Sequence, residues 1–193
     1  MYTMCKTRIY YTILILLVST GCSVIFPVNS TPTAAPTSTP ERLELIKGEI
    51  DACLLLSSVE VESISDIKVT SHVGAILKTS CQYISVKDGE IILAITTNTD
   101  ATLKRRGESY SAVEMYEIMK RGDLRLQKEI PEIKVEDIDN FGDQAYFRES
   151  VHIDINVLKN KIVYWFSTRT IANGGIGYDT LMKLAKIALQ RMP

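Results

Sequence analysis

His152 and Asp154 stand two residues apart in a stretch that alternates polar with aliphatic, so both side chains leave one strand face. An imidazole beside a carboxylate can pass a proton or begin a metal site. The aliphatic partners Val151, Ile153, Ile155 and Val157 claim the core side, which puts the pair on the solvated face by pattern. His72, the other histidine, has no acidic neighbour in sequence, so a serine- or cysteine-histidine site has few ways to assemble. The loop Asn173-Gly174-Gly175-Ile176-Gly177 precedes a helical pattern, as phosphate-cradling loops do. It lacks the P-loop lysine and the glycine spacing of dinucleotide folds, and reads as a flexible strand-to-helix connection. Glu132, Glu136, Asp137, Asp139 and Asp143 crowd one region without the spacing of a calcium loop, and solvated turn chemistry accounts for them. These residues assign no catalytic group, no metal site and no cofactor.

The cysteines carry clearer chemistry. Lys6 and Arg8 form a short positive segment, Ile9 to Val18 an apolar run, and Ser19-Thr20-Gly21-Cys22 follows at once. A small residue before a cysteine after an apolar run resembles a lipobox, where a signal peptidase cleaves and the thiol takes a diacylglyceryl group. Ser19 departs from it, since an aliphatic residue usually stands three before the cysteine. The alternative is an uncleaved transmembrane anchor, because residues 9–28 are long enough to cross a bilayer. Both readings place Lys6 and Arg8 inside and the rest outside. Cys5 leaves with the signal, Cys22 takes the lipid, and Cys53 and Cys81 remain as the pair in an oxidising setting, where two thiols bridge more often than they stay free. Two buried, unpaired cysteines are the other reading. Two are too few for a structural zinc site.

The chain of 193 residues therefore divides into a lipoprotein signal peptide (1–21), a lipidated Cys22 with a linker (22–40), and a globular domain (41–193). The linker's residues 27–40 are Pro-, Thr- and Ser-rich, favour extended polyproline II, and can hold a domain about 40 Å from the bilayer. Of the 22 basic residues two depart with the signal, which leaves them three short of the 23 acidic ones. A mildly acidic, mixed surface argues against nucleic acid and offers no polybasic patch for anionic lipid.

Several elements must position whatever the domain does. Leu43, Leu45, Ile46 and Ile50 suggest one or two helical turns before Cys53, and Ser57 with Glu60 makes a capping box for a helix over about 58–65. The run Cys81 to Val86 and the run Ile91 to Thr97 flank Asp88-Gly89, a hairpin signal because glycine takes the positive φ of a type I′ turn. Ile91 to Ile95 is apolar on both faces, which predicts a central strand covered on each side. From about Asp100 to Arg121 the period turns helical, with Gly122 suited to end the helix. Short strands follow near 133–138 and from Ala145, then a half-buried strand at 151–157, a turn at Lys159-Asn160, and a strand over 162–168. Leu181, Leu184, Ala185, Ala188 and Met192 give a final helix one apolar face. Tyr146, Phe147, Tyr164, Trp165 and Phe166 belong mostly to the core, and any that face outward offer a contact for a partner. The order predicts an α+β single domain: an antiparallel β-sheet with helices packed on it. Both halves run strands then helix, a hint of duplication that no residue-level repeat supports.

Three features in order resemble a family of small secreted bacterial lipoproteins whose domain has no assigned function. They are Asp51-Ala52-Cys53-Leu54-Leu55 with Ser57 and Glu60, then Cys81-Gln82-Tyr83, then Phe141-Gly142-Asp143-Gln144-Ala145-Tyr146-Phe147. The resemblance spans about residues 50–192 and implies a Cys53–Cys81 disulfide and a PsbP-like α+β fold. It supplies no catalytic residue, and the residues between Asp88 and Phe141 carry no matching motif. The expectation is a lipid-anchored protein on the extracytoplasmic face of a cell membrane, a non-enzymatic binding or accessory module of the envelope. Its partners would be the membrane through the N-terminal lipid, and an envelope protein, an envelope polymer or a small apolar ligand. The alternative is an envelope hydrolase whose site is assembled from residues distant in sequence.

Overall fold

The alternating segments become seven strands: β1 (Val69–Val73), β2 (Ser80–Ser85), β3 (Ile91–Asn98), β4 (Lys134–Asp137), β5 (Gln144–Glu149), β6 (His152–Lys159) and β7 (Ile162–Arg169). In the computed structural model, which describes residues 46–73 and 78–192, they form one sheet in the order β1-β2-β3-β7-β6-β5-β4, antiparallel throughout. Among the described residues four helices pack on it: α1 (Ser58–Ser65), α2 (Asp100–Arg105), α3 (Ala112–Glu129) and α4 (Tyr178–Gln190). The chain is thus an α+β domain with one disulfide, Cys53–Cys81, whose Cα atoms lie 5.0 Å apart. The signal segment, Cys5, Cys22, the linker, Leu43 and Leu45 lie outside the described residues.

The path explains the order. β1, β2 and β3 meander inward from one edge, α2 and α3 cross to the opposite edge, and β4 to β7 meander back until β7 lies beside β3. The β6–β7 connection needs only Asn160 and Lys161, both at positive φ, the primed-turn geometry that matches strand twist. The β2–β3 hairpin forms at Asp88-Gly89 as expected, but with a longer loop in which Gly89 alone has positive φ, so it is not a type I′ turn.

One sheet face is sealed by apolar packing. Tyr83, Leu93, Ile95, Ile155, Phe166, Leu181 and Leu184 are fully buried there, between the sheet and α4, with α1 alongside. Burying each leucine of α4 stabilises the fold by about 1.5–3 kcal/mol. The capping box of α1 forms as expected: Ser57 Oγ accepts from the Glu60 N–H at 3.3 Å, and Glu60 Oε2 accepts from the Ser57 N–H at 2.8 Å. Arg191, just past α4, donates to Glu60 and to the Leu55 carbonyl, and so ties the chain end back to α1.

Four expectations need correction. The helical period over 100–121 is two helices: Gly107, at φ +81°, follows the end of α2, and a second capping box, Ser111 with Glu114, starts α3. Gly122 lies inside α3 with open space around it, because a strong cap outweighs the cost of about 1 kcal/mol for one helical glycine. The segment before Cys53 is not helical over 46–50; only Ala52–Leu54 makes a single 3-10 turn, capped by Asp51. Its backbone bonds to the turn before β2 and to β3 instead, with Ala52 N–H donating to the Lys78 carbonyl and Thr97 Oγ1 donating to the Ile50 carbonyl. β3 is central, yet Ala94 and Thr96 on its second face are only half-buried. Its apolar run owes part of its length to a bulge near Tyr83/Ile84 that leaves both Ile92 and Leu93 in the sealed core. Finally, β6 is buried on both faces, because α3 covers the face that alternation assigned to solvent.

Candidate functional site

The second sheet face is where polar chemistry gathers. α3 lies across β4, β6 and β7, and buries Tyr116, Tyr146, Leu158 and Val163 beneath its first turns. It does not reach the other half of the sheet, where Gln82, Ile84, Ala94 and Thr96 stay half-buried. At the margin of the covered half lies a recess of about 210 Å³, lined by Met119, Asp123, Arg148, Asp154, Asn156 and Trp165.

Strand register assembles it. Asp154 on β6 stands directly opposite Arg148 on β5 and Ser167 on β7, so all three side chains leave the same face. Trp165 lies opposite Asn156, one step further along. Asp154 is buried, and its Oδ1 accepts from Trp165 Nε1 at 3.1 Å and from Ser167 Oγ at 2.5 Å. Its Oδ2 faces Arg148 Nη1 at 3.6 Å. From α3 above, Asp123 Oδ2 accepts from Tyr146 Oη at 3.0 Å, while its Oδ1 faces Arg148 Nε at 3.5 Å. Burial pushes the Asp123 carboxyl above the usual carboxylate range, against the pull of Tyr146 and Arg148, and the charge of Asp154 adds to the rise. The Tyr146 hydroxyl is held far above its ordinary value by burial and then by Asp123, so it stays a neutral donor.

The residues singled out from sequence fare differently. Asp154 lies in the recess, contrary to its assignment to a solvated face; α3 accounts for the difference. His152 is exposed at the start of β6 and does not line the recess, so no histidine–carboxylate pair forms there. His72 lies on β1, its backbone opposite Gln82. The glycine-rich loop is pressed against β7 rather than free: a Cβ on Gly175 would meet the Arg169 carbonyl oxygen at 1.6 Å, and Thr168 Oγ1 accepts from the Ile176 N–H at 3.3 Å. The acidic segment makes turn and surface contacts, with Asp137 paired to Lys120 at 2.6 Å and Asp143 accepting from the Asn160 N–H at 2.7 Å. Among the described residues no group of three or more metal-ligating side chains comes together. Cys53 and Cys81 are bridged, and Cys22 lies outside the described residues. Of the aromatic set, Tyr146, Tyr164 and Phe166 are fully buried, Phe147 packs on Tyr178 with ring centres 5.0 Å apart, and Trp165 alone borders the recess.

Sequence reasoning missed Asp123, Arg148, Asn156 and the partnership of Trp165 with Asp154. The one available signal was the run of polar residues Asp154 and Asn156 facing a strand that carries Arg148. Without register it could not be told from a wet face.

Comparison of the chain with family models, with curated proteins and with solved structures finds no match.

Proposed function

We propose that the protein is a lipid-anchored binding module of the cell envelope, held outside the membrane through Cys22, with the open half of its second sheet face as the binding surface. The observation that carries this is the contrast between faces: one is closed by apolar packing, while the other leaves the polar groups of Asp123, Asp154 and Asn156 in a recess beside half-exposed strands. A domain that needed its sheet only for stability would gain by covering both halves. The Cys53–Cys81 bridge supports the exported address, since disulfides persist in oxidising compartments. The resemblance to small secreted lipoproteins with a PsbP-like fold points the same way. Binding is favoured over hydrolysis because Trp165, Ser167 and Tyr146 commit their protons to holding the carboxylates still. That arrangement suits a fixed recognition surface better than proton transfer.

Two measurements test the reading. Metabolic labelling with a fatty acid should tag the full chain and fail to tag Cys22→Ser, which should leave the membrane fraction. A full-length chain recovered from the cytosol, unlabelled and with free thiols at 53 and 81, overturns the address. Retention on immobilised envelope material should fall for Thr96→Arg, on the open face, and persist for Val59→Arg, exposed on α1. Equal retention by both overturns the choice of surface.

A further inference from the structure

The recess at the margin of α3 holds more acceptors and more negative charge than its own donors satisfy. Asp123 and Asp154 face a single guanidinium, and Arg148 stands 3.5 Å from one and 3.6 Å from the other, too far for a normal hydrogen bond to either. Its Nε has no hydrogen-bond partner among the described residues. With both carboxylates ionised, one unit of negative charge is left over, in a site where burial weakens solvent screening. Asn156 supplies an independent sign. Its side chain lines the recess, the residue is 2% exposed, and its Oδ1 has no hydrogen-bond partner among the described residues. A buried acceptor left without a donor costs free energy that a donating ligand would recover.

From these groups we infer that the recess binds a primary ammonium group carried on a short alkyl stem. The inference rests on reading the open face as a binding surface and names the chemistry it would take. An ammonium brings three N–H donors and no acceptor, which suits Asp123 Oδ1, Asp154 Oδ2 and Asn156 Oδ1. Met119 and the Trp165 ring supply apolar wall for the methylenes, and the indole face also attracts a cation. The volume of about 210 Å³ holds a stem of a few carbons and little more. An anion fits poorly, because it would stand against two carboxylates whose partners Trp165, Ser167 and Tyr146 have already given their hydrogens, which leaves it the Arg148 Nε hydrogen. A calcium ion fits poorly too, since two carboxylates and one amide oxygen fall short of the six to eight oxygens it takes, and a guanidinium stands between them. The same ammonium can come from a free amine or from a lysine side chain on a partner.

Trp165 is the only tryptophan of the chain, so its fluorescence reports on the recess in the full-length protein. Titration with n-butylammonium should give a saturable change, confirmed by calorimetry, where n-butanol and butyrate give none. Asp123→Asn should weaken the calorimetric affinity by about tenfold or more, the loss of one charge-assisted hydrogen bond. Met119→Lys should place a tethered ammonium in the recess and abolish binding. A capped lysine tripeptide that binds more tightly than n-butylammonium assigns the source to a partner protein; weaker binding assigns it to a free amine, and both support the site. Equal responses to n-butanol and n-butylammonium, or no saturable response at all, overturn the proposal with the wild-type chain alone, whatever the variants' stability. Such a result with the Thr96→Arg effect intact would leave the open face as a binding surface and remove only the ammonium from it.

Discussion

The two faces of the sheet are built to different standards of closure. On the sealed face the large side chains are apolar, and two polar tips are committed: Tyr83 Oη donates to the Leu56 carbonyl at 2.6 Å, and Thr168 Oγ1 donates to the Ile92 carbonyl at 2.6 Å. The Tyr164 hydroxyl there has no partner among the described residues. On the other face Asn156 Oδ1, Tyr116 Oη and Arg148 Nε are buried without partners among the described residues, the first and last of them beside two carboxylates. The sealed face also holds the covalent bridge and the tie between Arg191 and Glu60. These covalent and charged ties lie on one side of the sheet, and the unmet polar groups that stand beside carboxylates, Asn156 Oδ1 and Arg148 Nε, lie on the other. That division would let the proposed ammonium site carry local cost without loosening the core.

The largest break of this comparison is Gly175→Ala. Its Cβ would overlap the Arg169 carbonyl, so the loop must leave β7 and take Ile176 out of the sealed core, with a loss above about 4 kcal/mol. Chemical denaturation should show a chain that is unfolded or barely folded; a stable variant would show that the loop is not needed to close that face. Next comes Cys81→Ser. Losing a bridge across a sequence separation of 28 should cost about 3 kcal/mol and lower the melting temperature by about 6–12 °C. Melting with and without a reductant checks it, and only the wild-type chain should respond.

A pair of tyrosines sharpens the comparison within the sealed face. Tyr83→Phe should cost about 1 kcal/mol, because it strands the Leu56 carbonyl, while Tyr164→Phe should be neutral or slightly stabilising, because the Tyr164 hydroxyl is buried with no partner. Equal losses in the two variants would show that ring packing, not the hydroxyl, sets the difference.

The smallest effects are the pH slopes, and they run in opposite directions on the two faces. Arg191 first, and then Ser57, holds the Glu60 carboxyl down at about 2, so its contribution to stability is present at neutral pH. That contribution is lost as pH falls from the ordinary range toward 2, and Glu60→Gln should flatten the acid limb of a stability–pH curve. Asp123 is pushed the other way by burial, so the folded chain holds its proton more tightly than the unfolded one. Stability therefore falls as pH rises from the ordinary carboxyl range through the raised value, and Asp123→Asn should remove that decline. Unfolding midpoints across the acid range measure both slopes, and parallel slopes would contradict the division of the faces.

Much of the fold was legible because local patterns recorded local causes. Ser57 and Glu60 announced α1 through a cap whose both hydrogen bonds form, and Leu181, Leu184, Ala185 and Ala188 announced α4 through one apolar stripe that is fully buried. Cys53 and Cys81 could be paired by eliminating the other two cysteines, given an exported address. The break between α2 and α3 was harder to see, since Gly122 carries the usual mark of a helix end and Gly107 carries it equally well. Only the second capping box at Ser111 and Glu114 distinguishes them. The site was nearly illegible. Asp154 alternates with aliphatic residues as a wet side chain would, and nothing near it in the chain signals that Asp123, some thirty residues earlier, lies above it.

By itself the amino-acid order determined the antiparallel α+β class, most element types and the cap of α1, and it narrowed the covalent pairing to Cys53 and Cys81 given an exported address, because each depends on residues close in sequence or on a count of thiols. Tertiary structure alone decided which sheet face is sealed and which carboxylates share Arg148. Those outcomes depend on where a crossing helix comes to rest over strands far away in the chain, and on a register that sets which side chains face each other; a change of one residue in that register moves every side chain to the opposite face.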